Sequence, residues 1–276
     1  MHKIVYATGL TGFIGSNLLP FLLESYDVVI NFARNNSVII YKKNDTEQMA
    51  FSSKILIDYP SNIFINLATL YNPKPLSIKD FNNLIESNIN FPLNIIEILL
   101  GFNKKLNIVN TSSYMQLLPL KFQNQYSLSK EIFLSRISNN LQNIKNLYLF
   151  DSFGKGDTRN KVIDIFIKNI KNNKNISIPS NDIHINISYV DDICTSIKGS
   201  IELPGGNYSI LSPDTITLEL LAKKLMRLIG RDVDLIKLDP SHNLFNEIMQ
   251  MPENIYPSRT AESVEYNLQR RINEIN

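Results

Sequence analysis

A tyrosine and a lysine stand four residues apart in the segment Tyr126-Ser127-Leu128-Ser129-Lys130. In a helix this spacing places the two side chains on one face, one turn apart. The hydroxyl of an isolated tyrosine has a pKa of about 10, and a neighbouring ammonium group stabilises the phenolate. The pair could therefore exchange a proton with a substrate oxygen. A tyrosine on an apolar face beside a solvated lysine is the alternative interpretation.

Three glycines lie near the start of the chain, in Thr8-Gly9-Leu10-Thr11-Gly12-Phe13-Ile14-Gly15. Gly9 permits a tight turn, Gly12 lets the backbone approach a pyrophosphate, and Gly15 allows a helix to pack closely on a strand. The free N–H groups and positive dipole end of the following helix would face the phosphates. A glycine-rich turn without a ligand is the alternative, but the position at the first strand-to-helix junction favours a dinucleotide site.

The end of the second predicted strand indicates which dinucleotide is bound. A site that prefers NAD places Asp or Glu there to accept a hydrogen bond from the ribose 2′-hydroxyl. This chain reads Asn31-Phe32-Ala33-Arg34-Asn35-Asn36, which contains no carboxylate. A guanidinium at Arg34 suits a 2′-phosphate through charge-assisted, bidentate hydrogen bonds. The sequence therefore favours NADP(H); NAD(H) is the alternative, and Arg34 would then be a solvated loop residue.

These residues lie between short apolar runs and longer segments of helical periodicity. The runs predict strands at residues 4–7, 28–32, 38–41, 63–67, 106–110 and 147–150. The helical segments are residues 14–26, 46–59, 78–100, 126–141, 162–172 and 218–229. Apolar strands separated by amphipathic helices predict an α/β fold with a Rossmann, doubly wound parallel sheet covered on both faces. The polar segment Asn110-Thr111-Ser112-Ser113 ends the fifth strand, at the edge where such sheets bind ligands.

The composition excludes several classes of protein. The 28 Lys+Arg residues nearly balance 26 Asp+Glu, so no basic field marks a nucleic-acid-binding surface. No apolar run reaches the ~18 residues that span a bilayer. The single cysteine, Cys194, cannot form an internal disulfide, and with three scattered histidines it offers no zinc spacing. We therefore expect a cytoplasmic protein with no metal, no membrane segment and no nucleic-acid partner.

The TGxxGxxG loop, the strand that ends in Thr111-Ser112-Ser113 and the YxxxK helix together resemble the extended short-chain dehydrogenase/reductase family, also known as the NAD-dependent epimerase/dehydratase family. The resemblance covers roughly residues 3–230 and is strongest before residue 155. It implies a catalytic Ser113, Tyr126 and Lys130. Tyr126 would exchange the proton, Ser113 would orient the same substrate oxygen, and Lys130 would also hold the nicotinamide ribose. Ser112 is the alternative to Ser113.

The same resemblance implies the binding residues. The cofactor site would comprise Gly9, Thr11, Gly12, Phe13, Ile14, Arg34, Leu67, Ala68, Tyr126, Lys130, Ser152 and Phe153. The substrate site would comprise Thr69, Tyr71, Tyr114, Lys161 and Asn186. One departure falls in the substrate half, since Ile185-Asn186 replaces the family's usual Arg-Asp pair. The nucleotide and the sugar therefore stay open.

A helix that includes Glu86-Ser87-Asn88-Ile89-Asn90 resembles the family's helix with a structural asparagine. Pro92 follows four residues after Asn88, and because proline has no N–H, the Asn88 carbonyl loses its helical donor. In related enzymes that carbonyl holds a water that leads to the catalytic lysine. A proton relay and a simple kink in the helix are equally compatible with this pattern.

The family contains several activities, and the residues after Ser113 help to separate them. Known 4,6-dehydratases carry Asp-Glu there, whereas this chain has Tyr114-Met115. The chain is similar to CDP-paratose and CDP-abequose synthases, and an NADP-type pocket suits net reduction. We therefore expect an NADPH-dependent oxidoreductase that reduces the C4 carbonyl of a nucleotide-linked 4-keto-deoxyhexose for bacterial surface polysaccharide. The alternatives are a nucleotide-sugar 4-epimerase with tightly bound NAD and a non-enzymatic NADP-sensing regulator, although such regulators usually lack the tyrosine or lysine.

We expect two domains and a dimer. Residues 1–153 and 185–204 would form the dinucleotide-binding domain, and residues 154–184 and 205–276 a smaller C-terminal substrate-binding domain. In relatives, two long helices pair with their copies across a two-fold axis, so residues 78–100 and 126–141 would form a homodimer interface. Its apolar residues would be Ile85, Ile89, Leu93, Ile96, Leu100, Phe133, Leu134, Ile137 and Leu141.

Overall fold

A computed structural model describes residues 2–179, 183–213, 215–231, 235–239, 254–257 and 262–275. The strands are β1 (Ile4–Thr8), β2 (Val28–Ala33), β3 (Ser37–Lys42), β4 (Asp45–Ala50), β5 (Ile63–Asn66), β6 (Asn107–Ser113), β7 (Ile144–Leu149), β8 (Asp151–Phe153), β9 (Ile176–Pro179), β10 (His184–Tyr189), β11 (Gly206–Leu211), β12 (Thr215–Thr217), β13 (Ile236–Asp239) and β14 (Asn254–Pro257). The α-helices are α1 (Phe13–Leu23), α2 (Ser53–Asp58), α3 (Ile78–Ile85), α4 (Phe91–Phe102), α5 (Gln125–Ser138), α6 (Val162–Lys171), α7 (Val190–Ser200), α8 (Leu218–Ile229) and α9 (Val264–Glu274). None of the helices in these ranges is long and apolar enough to cross a membrane.

Nine strands form one large sheet in the order β14-β11-β7-β6-β5-β1-β2-β3-β4. Neighbouring strands from β14 to β2 run parallel. Strands β1 and β7 are buried along their whole length, as expected where helices cover both faces of a parallel sheet. Side chains of α1, α6, α7 and α8 pack on one face, and those of α2, α4 and α5 pack on the other. The predicted Rossmann, doubly wound α/β fold is confirmed.

A row of buried polar side chains crosses the sheet where β1 and β5 end. Thr8 Oγ1 donates to Asn66 Oδ1 over 2.7 Å, and Asn66 Nδ2 donates to Asn110 Oδ1 over 2.9 Å. Asn110 Nδ2 donates in turn to Asn146 Oδ1 over 2.7 Å. Because these bonds join four neighbouring parallel strands, they fix the strand ends relative to one another. The chain order switches direction between β1 and β5, and such switch points are where open sheets bind ligands.

Residues 46–59 are predicted as one helix, and this prediction is wrong for the first half of the segment. β4 instead pairs antiparallel with β3, which pairs antiparallel with β2. All of β4 is exposed, so its polar pattern shows no buried face that would distinguish a strand from a helix. Helix α2 begins at Ser53 and buries Ile55 and Leu56. The pairing with β3 is a non-local contact that the local pattern does not contain.

The predicted helix 78–100 is helical throughout, but it contains a π-helical turn at Glu86–Asn90 between α3 and α4. The N–H of Phe91 donates to the carbonyl of Glu86, five residues back. Pro92 follows directly and has no N–H to continue the α-helical ladder. The structure therefore accommodates the proline by a widened turn, a feature that is frequent at functional sites.

The apolar surface predicted for an interface on the two long helices is partly wrong. Five of its nine residues lie in the core that these helices form against the sheet: Ile89, Ile96, Phe133, Leu134 and Ile137. Ile132 on α5 is instead exposed, with 55% of its surface accessible, and Phe81 on α3 is 43% accessible. These side chains cover the sheet, so less of the apolar surface of the two helices is left for an interface than the sequence periodicity indicates.

Two small sheets complete the described structure. β10 pairs with β8 and β12, and β9 pairs with β13. The predicted division places residues 205–276 in the smaller domain, whereas β11 and β14 extend the large sheet beyond β7. β10 lies in the three-stranded sheet, although residues 185–204 are predicted in the larger domain. Both differences arise from strand pairing between segments distant in the chain.

Candidate active site

A cavity of about 760 Å³ lies at the carboxyl ends of the central strands. It is lined by the glycine-rich loop, by the end of β6 and by the first turns of α5. Three predicted catalytic residues, Ser113, Tyr126 and Lys130, all line it. Ser112 also lines it, but its hydroxyl donates to Asn146 Oδ1 over 2.7 Å, so it is occupied within the polar row of the sheet.

The glycine-rich loop has the shape that a dinucleotide pyrophosphate requires. Gly9 has a φ of +76°, and a Cβ there would lie 2.7 Å from the Leu67 backbone. A Cβ on Gly15 would lie 2.2 Å from the Gly9 carbonyl oxygen, so only glycine lets α1 begin this close to β1. Gly12 is the N-cap of α1, and it has no side chain that could accept a hydrogen bond from the first N–H groups of the helix. The first N–H groups of α1 therefore have no intrahelical partner, and the loop fits a bound anion.

Apart from Tyr126 and Lys130, nine of the ten predicted cofactor residues line the cavity. Five belong to the glycine-rich loop and the start of α1, and the list in full is Gly9, Thr11, Gly12, Phe13, Ile14, Arg34, Leu67, Ala68 and Ser152. Phe153 is not among the lining residues; its ring is 2% exposed and packs edge-on against Tyr189 at 5.4 Å between centroids. The side chain of Phe153 thus belongs to the core.

Tyr126 lies at the start of α5, whose N-cap Asn124 accepts a hydrogen bond from the Ser127 N–H. Burial raises the pKa of the Tyr126 hydroxyl, and hydrogen bonds with Thr69 and Ser113 oppose that rise. Desolvation is the largest effect, so the net shift of this pKa is upward. Tyr126 therefore remains a phenol, which can donate a proton, around neutral pH.

Lys130 is buried and donates from Nζ to the Thr111 carbonyl over 2.9 Å. Burial lowers the pKa of its ammonium group from 10.5 to about 8. Thr111 belongs to β6, the strand that ends at Ser113. The lysine is therefore held against the same strand that ends in Ser113, one helical turn from Tyr126.

Asn88, in the π-helical turn, joins the loop after β5 to helix α5. Its Oδ1 accepts from the N–H of Leu70 over 2.7 Å and lies 3.4 Å from Thr69 Oγ1. Its Nδ2 donates to Ser129 Oγ over 2.9 Å. The side chain therefore fixes the position of Thr69, which is itself a hydrogen-bond partner of Tyr126.

Arg34 follows β2 and lines the cavity. Its Nη1 donates to Ser87 Oγ over 2.6 Å. Ser87 is buried in the π-helical turn and also lines the cavity. Arg34 and Ser87 are 53 residues apart in the sequence, and no local signal in the chain predicts their contact.

Four of the five predicted substrate residues line the cavity: Thr69, Tyr71, Tyr114 and Lys161. The ring of Tyr71 meets that of Tyr126 edge-on at 5.0 Å, and Lys161 Nζ lies 4.3 Å from the Tyr71 ring centroid. Tyr114 stacks on Phe150 at 5.3 Å. Asn186 is placed elsewhere: it is buried, and its amide exchanges hydrogen bonds with the backbone of Ser212.

Two charged residues of the cavity are missing from the sequence prediction. Asp151 begins β8, and burial raises the pKa of its carboxyl group despite Lys161 and Arg159 nearby. Arg159 lies in the turn after β8 and bonds to Asp157. The strand 147–150 predicts a ligand-binding end at Asp151 by the same rule that applies to Ser113. Arg159 has no such signal.

The chain resembles known proteins over most of its length. The model of the NAD-dependent epimerase/dehydratase family matches residues 5–201. A CDP-abequose synthase from Yersinia pseudotuberculosis is 28% identical over 232 residues, which cover 78% of this chain and 81% of that protein.

Solved structures share the fold. The UDP-glucose 4-epimerase from Thermotoga maritima, determined with UDP-glucose, superimposes with a TM-score of 0.71 at 16% identity, covering 99% of this chain and 98% of the other. RMD from Pseudomonas aeruginosa, complexed with NADPH, gives a TM-score of 0.71 at 14% identity, covering 99% and 97%.

Proposed function

The chain belongs to the NAD-dependent epimerase/dehydratase family, and from that premise we propose that it is an NADPH-dependent reductase of a nucleotide-linked sugar. Its substrate would be a 4-keto-deoxyhexose, reduced at C4 in the synthesis of a bacterial surface polysaccharide. The observation that carries this proposal is the convergence of Ser113, Tyr126 and Lys130 on one cavity with the glycine-rich loop. The similarity to a CDP-abequose synthase supports a nucleotide sugar as substrate.

Tyr126 can serve as the proton donor in the reduction of a carbonyl. A tyrosine hydroxyl has a pKa of about 10, and burial raises it further, so Tyr126 carries its proton at neutral pH and can transfer it from Oη to the substrate oxygen. Ser113 Oγ would hydrogen-bond the same oxygen and orient the carbonyl. A bound nicotinamide dinucleotide would supply the hydride that adds to C4. Together the two transfers turn the C=O group into an alcohol.

Lys130 would support the phenolate that remains on Tyr126 after the proton has left. Its ammonium group lies one helical turn away, and a positive charge in a buried site stabilises an anion more than it would in water. The bond from Nζ to the Thr111 carbonyl holds the lysine there. The phenolate then regains a proton from solvent.

The acids of the cavity do not favour dehydration. Tyr114 and Met115 follow Ser113, so neither supplies a carboxylate for the removal of water. Among the described lining residues, Asp151 is the single acid. One carboxylate cannot act as both the acid and the base of an elimination at the same time.

The cofactor would be NADP(H), with NAD(H) as the alternative. Arg34 lines the cavity directly after β2, and no carboxylate occupies that end of the strand to repel a 2′-phosphate. The bond with Ser87 orients one edge of the guanidinium group. The remaining N–H groups are suited to a phosphate.

Turnover with 4-keto sugars tests the activity directly. We expect CDP-linked 4-keto-6-deoxy or 3,6-dideoxy hexoses to consume one NADPH per sugar and to give a single C4 epimer by mass spectrometry and NMR. GDP-, dTDP- and UDP-linked sugars complete the panel. If none changes NADPH absorbance while an unmodified nucleotide hexose is inverted at C4, the protein is the alternative epimerase.

We also propose that the chain forms a homodimer through α3, α4 and α5. The exposed apolar side chains Phe81 and Ile132 on these helices support this arrangement. A solution mass of twice 31.6 kDa is expected by light scattering at micromolar concentration. Ile132→Glu should reduce it to the mass of one chain, and a wild-type mass of one chain would overturn the proposal.

A further inference from the structure

The cavity carries more positive than negative charge. Four cations line it, Arg34, Lys130, Arg159 and Lys161, against the single described carboxylate of Asp151. In the proposed function, Arg34 binds the 2′-phosphate of the cofactor and Lys130 supports Tyr126. Arg159 is a strong candidate for binding a further anionic group, because it lies beside the glycine-rich loop.

The guanidinium group of Arg159 is built into position from two sides. Its Nε donates to Asp157 Oδ1 over 2.7 Å, and its Nη2 donates to Asp157 Oδ2 over 2.7 Å. Nη2 also donates to the Ser152 carbonyl over 2.9 Å. The group stacks on the ring of Phe13, with 4.4 Å between Cζ and the ring centroid. Nη1 is left as the nitrogen with no partner among the described residues.

The position of this group next to Phe13 determines the charge of its ligand. Phe13 is the first residue of α1, so the positive end of the helix dipole and its free N–H groups lie on the same side of the cavity. A guanidinium group and a helix N-terminus together favour an anion with several oxygen acceptors. Both ligands of the proposed function, a dinucleotide and a nucleotide sugar, contain such an anion as a diphosphate.

The turn that carries Arg159 is held by the C-terminal helix. Arg271 on α9 is buried and forms a two-bond ion pair with Asp164 on α6, over 2.8 and 2.7 Å. Its Nη2 also donates to the carbonyl of Asp157 over 2.8 Å. The carboxylate of Asp157 accepts hydrogen bonds from Nε and Nη2 of Arg159. A change at Arg271 therefore reaches Arg159 through one intervening residue.

We propose that Arg159 binds a diphosphate through Nη1, and that Arg271 is the positioning residue that holds the Asp157–Arg159 turn in place. This proposal rests on the proposed function for the presence of a diphosphate ligand. It adds a role for the C-terminal helix, which contributes none of the lining residues itself.

Binding measurements on the purified full chain test the ligand. NADPH affinity is read from nicotinamide emission, and affinity for the tightest of CDP, GDP, UDP and dTDP is read by calorimetry. Arg159→Gln should weaken one of them by about 10- to 100-fold, the range for a hydrogen bond to a charged group. Arg159→Lys should lose less, since it keeps the charge without the fork. Lys155→Gln is the control, because it removes an exposed charge from the same turn outside the cavity.

The ligand that is weakened identifies the diphosphate. Loss of NADPH affinity assigns Arg159 to the cofactor pyrophosphate, and loss of nucleoside diphosphate affinity assigns it to the substrate. Two unchanged affinities overturn the diphosphate site alone. A wild-type protein that binds neither ligand overturns the proposed function as well, so the two failures are distinguishable.

A double-mutant comparison tests the positioning role. Arg271→Lys should weaken the same ligand by about 3- to 10-fold, and Arg159→Gln with Arg271→Lys should bind no more weakly than Arg159→Gln alone. A purely structural role for Arg271 predicts losses that multiply, and that result would overturn the positioning role. Asp157→Asn, compared in the same way, tests the link if Arg271→Lys does not fold.

Discussion

The ammonium group of Lys130 donates to the carbonyl of Thr111 over 2.9 Å, and the lysine side chain is almost completely buried. One hydrogen bond does not replace the hydration of a full charge. For this reason burial lowers the pKa of Lys130 to about 8. The residue that the proposed chemistry needs is thus one that the fold would be more stable without.

Lys130→Met should stabilise the protein at neutral pH while abolishing turnover. The fall of the Lys130 pKa from 10.5 to about 8 corresponds to a destabilisation of the wild type by roughly 3 kcal/mol. The variant is free of this cost but loses the hydrogen bond to Thr111, which destabilises it by about 1 kcal/mol. The unfolded chain binds more protons between pH 8 and 10.5, so wild-type stability rises with pH across that window. Thermal melting should show the variant ahead by about 2 kcal/mol at pH 7, with the advantage gone near pH 10.5.

Lys105→Met serves as the control for this pH dependence, since Lys105 is exposed. It should melt in parallel with the wild type at every pH. A Lys130→Met variant that is less stable than the wild type at pH 7 would contradict the assignment of a buried, destabilising charge.

Tyr126→Phe should lower kcat by ~10²–10⁴, the usual range for a positioned acid, while NADPH binding changes little. The hydroxyl has hydrogen-bond partners in Thr69 and Ser113, so its loss leaves two short polar side chains that the cavity can hydrate. Tyr266→Phe is the matched control, because Tyr266 is 51% exposed on α9. Stopped-flow measurement of NADPH oxidation gives kcat; full activity in Tyr126→Phe would remove this residue from the mechanism.

Ser87→Ala should weaken NADPH binding by about 3- to 10-fold and leave NADH binding unchanged. Ser87 accepts from Arg34 over 2.6 Å, so its removal frees the guanidinium group to move without changing its charge. Arg34→Ala should show a larger loss of the same kind, expressed in KM more than in kcat. Ser135→Ala, on the exposed side of α5, is the control. Equal losses for NADPH and NADH in Ser87→Ala would count against the 2′-phosphate site.

The sheet and the residues at its strand ends could be predicted because both depend on local patterns. Apolar β-branched runs mark buried parallel strands, and polar residues directly after them mark the ligand edge, as at Ser113. The YxxxK spacing needs only a helix. Gly9 and Gly15 could be predicted because a turn and a close helix contact each exclude a side chain.

The remaining features depend on contacts between distant segments. Ser87 meets Arg34 only after α3 and α4 have packed on the sheet, and Arg159 is oriented by Arg271, which lies more than a hundred residues later in the chain. The segment 45–50 pairs with β3 without a local strand signal. Asn186 has the polarity of a ligand contact but bonds to the Ser212 backbone instead. Sequence spacing alone cannot distinguish these outcomes.

The glycine-rich loop allows a prediction in which two chemically identical substitutions have opposite effects. Gly15→Ala places a Cβ 2.2 Å from the Gly9 carbonyl oxygen and 2.5 Å from the Leu10 Cα, and neither backbone atom can move without displacing α1 from β1. We expect a loss of about 1–3 kcal/mol in the free energy of unfolding, as for other overpacked sites, together with weaker NADPH binding.

Gly101→Ala is the matched substitution, because a Cβ at this position in α4 meets nothing within 4 Å. Alanine restricts the unfolded chain and has a higher helix propensity than glycine, so a gain of about 0.5–1 kcal/mol is expected. Thermal melting with and without NADPH compares the two variants. The ligand should raise the melting temperature of Gly101→Ala as much as that of the wild type, and that of Gly15→Ala by less. Equal stabilisation of both variants by NADPH would show that the close approach of α1 to β1 at Gly15 is not needed for dinucleotide binding.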